Sequence, residues 1–334
     1  MGKVFIIAEA GVNHNGNLDM ALELVDRAAA AGCDAIKFQA FSADELVSRS
    51  APKAPYQVCS TGSSESQYEM LKRLEMPGEH FQLISEACDR KAILFLATGF
   101  SRQSMDMLHS LGVTTFKIPS GEITNLPYLQ HVGGYEKTVI LSTGMANMEE
   151  IGDALNILER AGTPIQNITV LHCTTEYPAP FDEVNLTAML SIKDHFGVKV
   201  GYSDHTKGIE VSLAAVAMGA SIIEKHFTLD KTLSGPDHIA SIDPGELFDL
   251  VTGIRHVEQA LGDGIKRATL SERRNIDIAR RSLVASRDVM EGEVFDENNL
   301  AAKRPGGGVS PMKYYEVMGT RAARDYKKDQ MIEL

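Results

Sequence analysis

The sequence predicts an α/β protein: a TIM (β/α)8 barrel followed by a small second domain. Three observations carry that expectation. From residue 4 to about residue 261, short apolar, β-branched runs alternate with longer amphipathic ones. Eight such short runs can be counted, the number that closes a barrel. No GxGxxG follows the first run, which makes an open doubly wound sheet the weaker choice.

The strand-like runs are VFIIAEAG (4–11), AIKFQA (35–40), ILFLAT (93–98), TTFKIPSG (114–121), TVILSTG (138–144), ITVLHCT (168–174), VKVGYSD (198–204) and SIIEKHFT (221–228). Near-continuous apolar strands with covering helices belong to a parallel sheet. The helix-like runs between them include LDMALELVDRAAAAG and PGELFDLVTGIRHVEQALG. Several stop at glycine, a common helix end. One insertion, residues 41–66, follows the second strand without a clear period. Loops this long in a compact domain are usually functional or mobile, and a lid and an ordinary surface loop are both open readings. Past residue 262 the composition shifts. The expected division is a barrel over 1–265, a charged linker with some helix over 266–280 and a module of short strands over 281–334. That module is small enough for a marginal core of its own, so it should lean on the barrel or on a partner subunit.

The 334 residues are 43% hydrophobic and carry a formal net charge of −12. A sizeable core is available. The charge argues against nucleic acid and anionic membrane surfaces as partners, while a local lysine cluster can still serve an anionic small substrate. Cys33, Cys59, Cys88 and Cys173 form no CxxC and fit a reduced, cytoplasmic protein. The apolar run at the N-terminus is short and holds Glu9, so neither a signal peptide nor a membrane span is expected.

The strand ends should carry the chemistry. Lys37 and Lys117 lie within apolar strand runs, where a cation is costly unless paired. With Thr98, Ser120 and Ser203 nearby in the pattern, they suggest a phosphate or carboxylate cradle. Pairing with a carboxylate such as Glu9 or Glu122 is the plainer alternative. A lysine Schiff base is another. His205 and His226 end neighbouring strands and could share an open divalent metal site, Mn²⁺ or Mg²⁺ rather than closed Zn²⁺. A non-catalytic barrel with an ice-binding module is disfavoured, since the module holds no regular threonine array.

The motifs IAEAGVNHNG (7–16), IKFQ (36–39), FKIPSGE (116–122), STGM (142–145), LHCTTEYPAP (171–180), GYSDHT (201–206), EKHFTLD (224–230) and KRPGGG (303–308) together resemble the sialic acid synthase family. These enzymes make nonulosonic acids from phosphoenolpyruvate and an N-acylated mannose-type sugar. The resemblance implies a TIM barrel with a C-terminal antifreeze-like (SAF) domain. It also implies a domain-swapped homodimer. By it, Lys37, Thr98, Lys117, Ser120 and Ser203 would hold phosphoenolpyruvate. His205 and His226 would ligate a divalent metal, Mn²⁺ favoured and Mg²⁺ or Co²⁺ the alternatives. Gln39, Glu122, Tyr177 and Asp237 would hold the sugar, and Arg304 would reach its N-acyl group from the partner. Glu9 would manage a proton or activate water. Thr175-Glu176 replaces an asparagine common in sialic acid synthases. Thr175 then stands at a phosphoenolpyruvate contact. Glu176 resembles the legionaminic acid branch, whose 6-deoxy sugar carries a second acetamido group at C4 that Glu176 could accept from.

Overall fold

The computed structural model describes residues 2–62 and 64–334. Eight parallel strands close into a barrel in chain order. They are β1 (Phe5–Gly11), β2 (Ala35–Ala40), β3 (Leu94–Gly99), β4 (Thr115–Ile118), β5 (Thr138–Ser142), β6 (Ile168–Cys173), β7 (Lys199–Asp204) and β8 (Ile222–His226). All eight expected strands are present. The fourth is shorter than its apolar run, because Pro119 leads into a 3₁₀ turn over Ser120–Glu122.

Local chemistry starts and stops the covering helices. Asn17 opens Leu18–Ala31 by accepting from the Met20 amide, and Gly32 closes it at φ 84°. Asn147 caps Met148–Ala161 with a reciprocal bond from Glu150. Asp243 does the same with Glu246 for Pro244–Leu261. The main core lies between strands and helices, with Ile6, Ile36, Phe38, Phe116 and Val170 among its buried members.

A second, smaller core fills the barrel interior: Ile7, Ala35, Leu96, Ile140, Leu171 and Ile222. Two residues further along each of these strands come Glu9, Lys37, Thr98, Ser142, Cys173 and Glu224. Side chains two apart face the same side of a strand. The apolar plug therefore sets a polar layer directly above it, at the C-terminal ends of the strands.

The insertion after β2 is not structureless. It contains helices Ala43–Leu46 and Pro55–Thr61, and Gln67–Leu74 follows it. The first two are too short to show a helical period, which is why the pattern was not visible in the sequence. Ser63 in this stretch lies outside the described residues, as does the side chain of Cys59. Cys33, Cys88 and Cys173 are buried free thiols.

The chain divides into two compact units, Met1–Gly262 and Asp263–Leu334. The second holds helix Leu270–Ala279 and an antiparallel pair, β9 (Ser282–Ala285) with β10 (Leu300–Lys303). Its own core includes Leu283, Val289, Phe295, Val317 and Tyr326. The stretch expected as a linker over 266–280 thus contains a helix and groups with this unit. The Gly306 amide donates to the Asp277 carbonyl at 2.6 Å. Among the described residues no helix is long and apolar enough to cross a membrane.

Candidate active site

A cavity of about 360 Å³ opens at the C-terminal ends of the strands, within the range of small-molecule sites. Its floor is the polar layer above the plug. Lys37 Nζ is 2.8 Å from Glu9 Oε2 and donates to Thr98 Oγ1 at 2.9 Å. Lys117 Nζ donates to Ser142 Oγ at 2.6 Å. Glu224 lies between the lysines, 3.6 Å from Lys117 and 3.7 Å from Lys37, and accepts from Ser203 Oγ at 3.0 Å. The strand register brings these groups together: Glu9 is opposite Lys37, Thr98 opposite Lys117, and Ser203 opposite Glu224.

Burial sets the protonation of this floor. Burial alone would lower Lys37, but Glu224 and Glu9 together hold it above its ordinary value. Lys117 is pulled down by burial, with Lys37 adding to the effect against the pull of Glu224. Burial would raise Glu224 too, yet Lys117 and Lys37 outweigh it and keep the carboxylate ionised. Glu9 goes the other way: burial, helped by the charge of Glu224, raises it despite Lys37. Its Oε2 accepts no hydrogen bond, although Lys37 is near.

One wall of the cavity comes from the turns after β4, β5 and β6. Ser120 Oγ accepts from the Gly144 amide at 2.9 Å and touches Cys173 Sγ at 3.3 Å. A side chain at residue 144 would meet Thr175 Oγ1 at 2.1 Å and Ser120 Oγ at 2.9 Å, so only glycine lets these hydroxyls converge. Thr175 Oγ1 is buried without a hydrogen-bond partner. An anion accepting from such hydroxyls would satisfy it.

Another part of the lining is aromatic. Tyr177 packs at a tilt on His205 at 4.2 Å and edge-on to His226 at 5.3 Å, and the two imidazoles are 5.4 Å apart by ring centroids. Tyr56, from the insertion, packs on Tyr177 at 5.0 Å. Burial lowers His205 to about 4 and His226 well below its ordinary value, so both rings are neutral. His205 Nδ1 donates to the Thr174 carbonyl at 2.5 Å, which leaves Nε2 as the acceptor nitrogen. His226 Nδ1 is buried without a hydrogen-bond partner. Asp237 Oδ2 is 3.8 Å from it, and burial raises that carboxyl to about 7. The contact is a neutral imidazole against a carboxyl rather than an ion pair. Two neutral imidazoles, one with an orphaned nitrogen, fit an open divalent site. Among the described residues no cluster of three or more His, Cys, Asp or Glu completes a closed one.

The cavity thus gathers Glu9, Lys37, Gln39, Thr98, Lys117 and Ser120 from the first half of the barrel. From the second half it gathers Thr175, Tyr177, Ser203, His205, His226 and Asp237. Two expected sugar contacts do not line it. Glu122 is turned onto Asn125, whose amide donates to it at 2.5 Å across the 3₁₀ turn. Glu176 is exposed, although its neighbour Tyr177 lines the cavity. Arg304 is an exposed residue of the second unit, just beyond β10. Several lining residues were given no role from sequence. Glu224 is the central acid of the floor, and its position two residues before His226 was the available signal. Tyr56 and Gln57 line the cavity from the insertion, where no periodicity pointed to them.

Comparison with known proteins agrees with this geometry. Residues 24–266 match the model of the NeuB family, and residues 280–333 match the SAF domain. The chain belongs to the NeuB family. It is 56% identical to an N,N'-diacetyllegionaminic acid synthase of Campylobacter jejuni, with 99% of each chain covered. It is 48% identical to the enzyme of that name from Legionella pneumophila, covering 95% of this chain and 90% of that one. A crystal structure of an N-acetylneuraminic acid synthetase from Leptospira borgpetersenii in complex with citrate superposes with a TM-score of 0.72. Its identity is 38%, over 82% of this chain and 90% of that one. The expected TIM barrel with a SAF domain is therefore the fold of this NeuB-family enzyme, and the non-catalytic reading falls away.

Proposed function

We propose that this chain condenses phosphoenolpyruvate with 2,4-diacetamido-2,4,6-trideoxymannose and water to give N,N'-diacetyllegionaminic acid and phosphate. The observation that carries this choice is the 56% identity to the Campylobacter diacetyllegionaminic acid synthase, against 35% to a pseudaminic acid synthase of the same organism.

In this reading Lys37 and Lys117 hold the anionic end of phosphoenolpyruvate. Thr98, Ser120 and Thr175 donate to its oxygens, and Ser203 borders it with its hydroxyl proton held by Glu224. This fixes its C3 against the sugar aldehyde, an orientation effect that removes much of the barrier. A divalent cation on His205 and His226, Mn²⁺ favoured over Mg²⁺ or Co²⁺, would polarise that aldehyde. Bond formation from C3 builds positive character at C2. Water adds there, and the tetrahedral product loses phosphate. Glu9, whose carboxylate burial makes more basic, is suited in its ionised form to take the proton of that water at Oε2. The lysines stabilise charge on the departing phosphate. Gln39, Tyr177 and Asp237 line the space left for the sugar. The same reading carries a cytoplasmic, domain-swapped homodimer in which Arg304 of one copy serves the N-acyl group in the other.

The test is product analysis by NMR with phosphoenolpyruvate and each of two sugars, the diacetamido-trideoxy sugar and N-acetylmannosamine. Formation of diacetyllegionaminic acid at the higher kcat/KM is the expected result. A preference for N-acetylmannosamine would make this an N-acetylneuraminate synthase.

A further inference from the structure

Above its polar floor the cavity turns apolar. Val12, Leu46, Met70, Leu71, Leu74 and Phe100 line it. The same six side chains form one hydrophobic cluster with Phe41, held by helices Ala43–Leu46 and Gln67–Leu74. A fully hydroxylated hexose is a poor match for such a wall. Each hydroxyl turned onto it would leave water and gain no partner.

We infer that this wall is the subsite for a deoxygenated C6 methyl group of the sugar. The inference rests on the function proposed above and adds the residues that read one end of the substrate. C1, the aldehyde carbon, must sit on the floor beside phosphoenolpyruvate. C6 is the far end of the chain, and the apolar wall is the part of the lining away from the charged floor. An acetamido group fits the wall less well, because its N–H and C=O both need partners. The amide side chains that the same segment contributes to the lining are Gln57 and Gln67. Gln57 Oε1 is already taken by the Ala54 amide at 2.9 Å and by Gln67 Nε2 at 3.3 Å. A methyl group needs neither. Apolar pockets discriminate against an added hydroxyl by roughly 10- to 100-fold.

The experiment is steady-state phosphate release with two matched pairs of sugars. One pair is 2,4-diacetamido-2,4,6-trideoxymannose and its 6-hydroxy form. The other is 2-acetamido-2,6-dideoxymannose and N-acetylmannosamine. In wild type the 6-deoxy member should lead in kcat/KM by about 10- to 100-fold. Leu46→Gln and Leu71→Gln, both at half-buried positions, should shrink that ratio several-fold while leaving the KM for phosphoenolpyruvate unchanged. A ratio near one in active wild type overturns the subsite and leaves the proposed function standing. So does an unchanged ratio in both folded variants. So does a 4-N-formyl analogue that loses turnover while the 6-hydroxy sugar keeps it, which would seat the acetamido methyl on the wall. Turnover of the 2-acetamido pair alone refutes the proposed sugar, and the ratio within that pair still judges the wall. No turnover with any of the four refutes both.

Discussion

Glu224 bridges two buried lysines: one carboxylate oxygen lies 3.6 Å from Lys117 Nζ and the other 3.7 Å from Lys37 Nζ. Burial works against the charged forms of Glu9 and Lys117, while pairing favours those of Lys37 and Glu224. The Glu224 carboxylate keeps the lysines from repelling each other when no substrate is bound. Glu224→Gln should therefore destabilise the free protein by about 3 kcal/mol, the cost of breaking a buried charge pair. It should also tighten phosphoenolpyruvate binding while lowering kcat, since Ser203 and the lysines lose their common anchor. Urea denaturation and calorimetry measure the two effects. Unchanged stability with weaker phosphoenolpyruvate binding would contradict the arrangement.

Directly behind the imidazoles, Lys225 Nζ and Asp204 Oδ2 form a fully buried pair at 3.0 Å. The two residues are opposite each other in the β7–β8 ladder and adjacent in sequence to His226 and His205. Asp204 also accepts from Thr206 and Ser212, and Lys225 donates to the Thr206 carbonyl. Lys225→Met should cost about 3–5 kcal/mol, and adding Asp204→Asn should recover part of it. Both variants should bind Mn²⁺ more weakly, by titration calorimetry, if the pair holds the two rings in register. Equal Mn²⁺ affinity would leave the pair a purely structural feature.

His14 is fully buried, and burial, then the nearby His238 and His80, lower it to about 4. The unfolded chain takes up its proton near pH 6.5, so between about 6.5 and 4 the unfolded state binds more protons. The contribution is fully present above pH 6.5 and is lost as pH falls through about 4. It amounts to on the order of 3 kcal/mol. His14→Gln should flatten the acid limb of the stability profile by that amount, read from urea midpoints at successive pH values. An identical slope in the variant would show that His14 is not its source.

Arg304→Ala should leave the size of the particle unchanged in light scattering. Its sugar KM should rise tenfold or more, equivalent to about 1.4 kcal/mol, with little change for phosphoenolpyruvate. Unaltered sugar kinetics would remove Arg304 from the site.

The barrel was legible because eight apolar runs recur with covering helices between them. Lys37 and Lys117 stood out because a cation within such a run demands a partner. Glu224 was harder to read: an acid in a buried strand has many readings until the register places it between both lysines. Tyr56 was hidden by the insertion, where helices of four and seven residues carry too few turns to show a period. Glu122 and Glu176 fall outside the cavity lining for a related reason. Both follow strand ends, where a turn decides the direction of the side chain, and strand alternation no longer applies.

The most direct test of the account is phosphate release from phosphoenolpyruvate with the diacetamido-trideoxy sugar, measured with and without EDTA and with the sugar omitted. Release that requires both the sugar and a divalent cation, and returns when Mn²⁺ is restored, is the predicted result. Release that survives EDTA, accompanied by a borohydride-trapped adduct on Lys37 or Lys117, would contradict the account and make the floor a Schiff-base site.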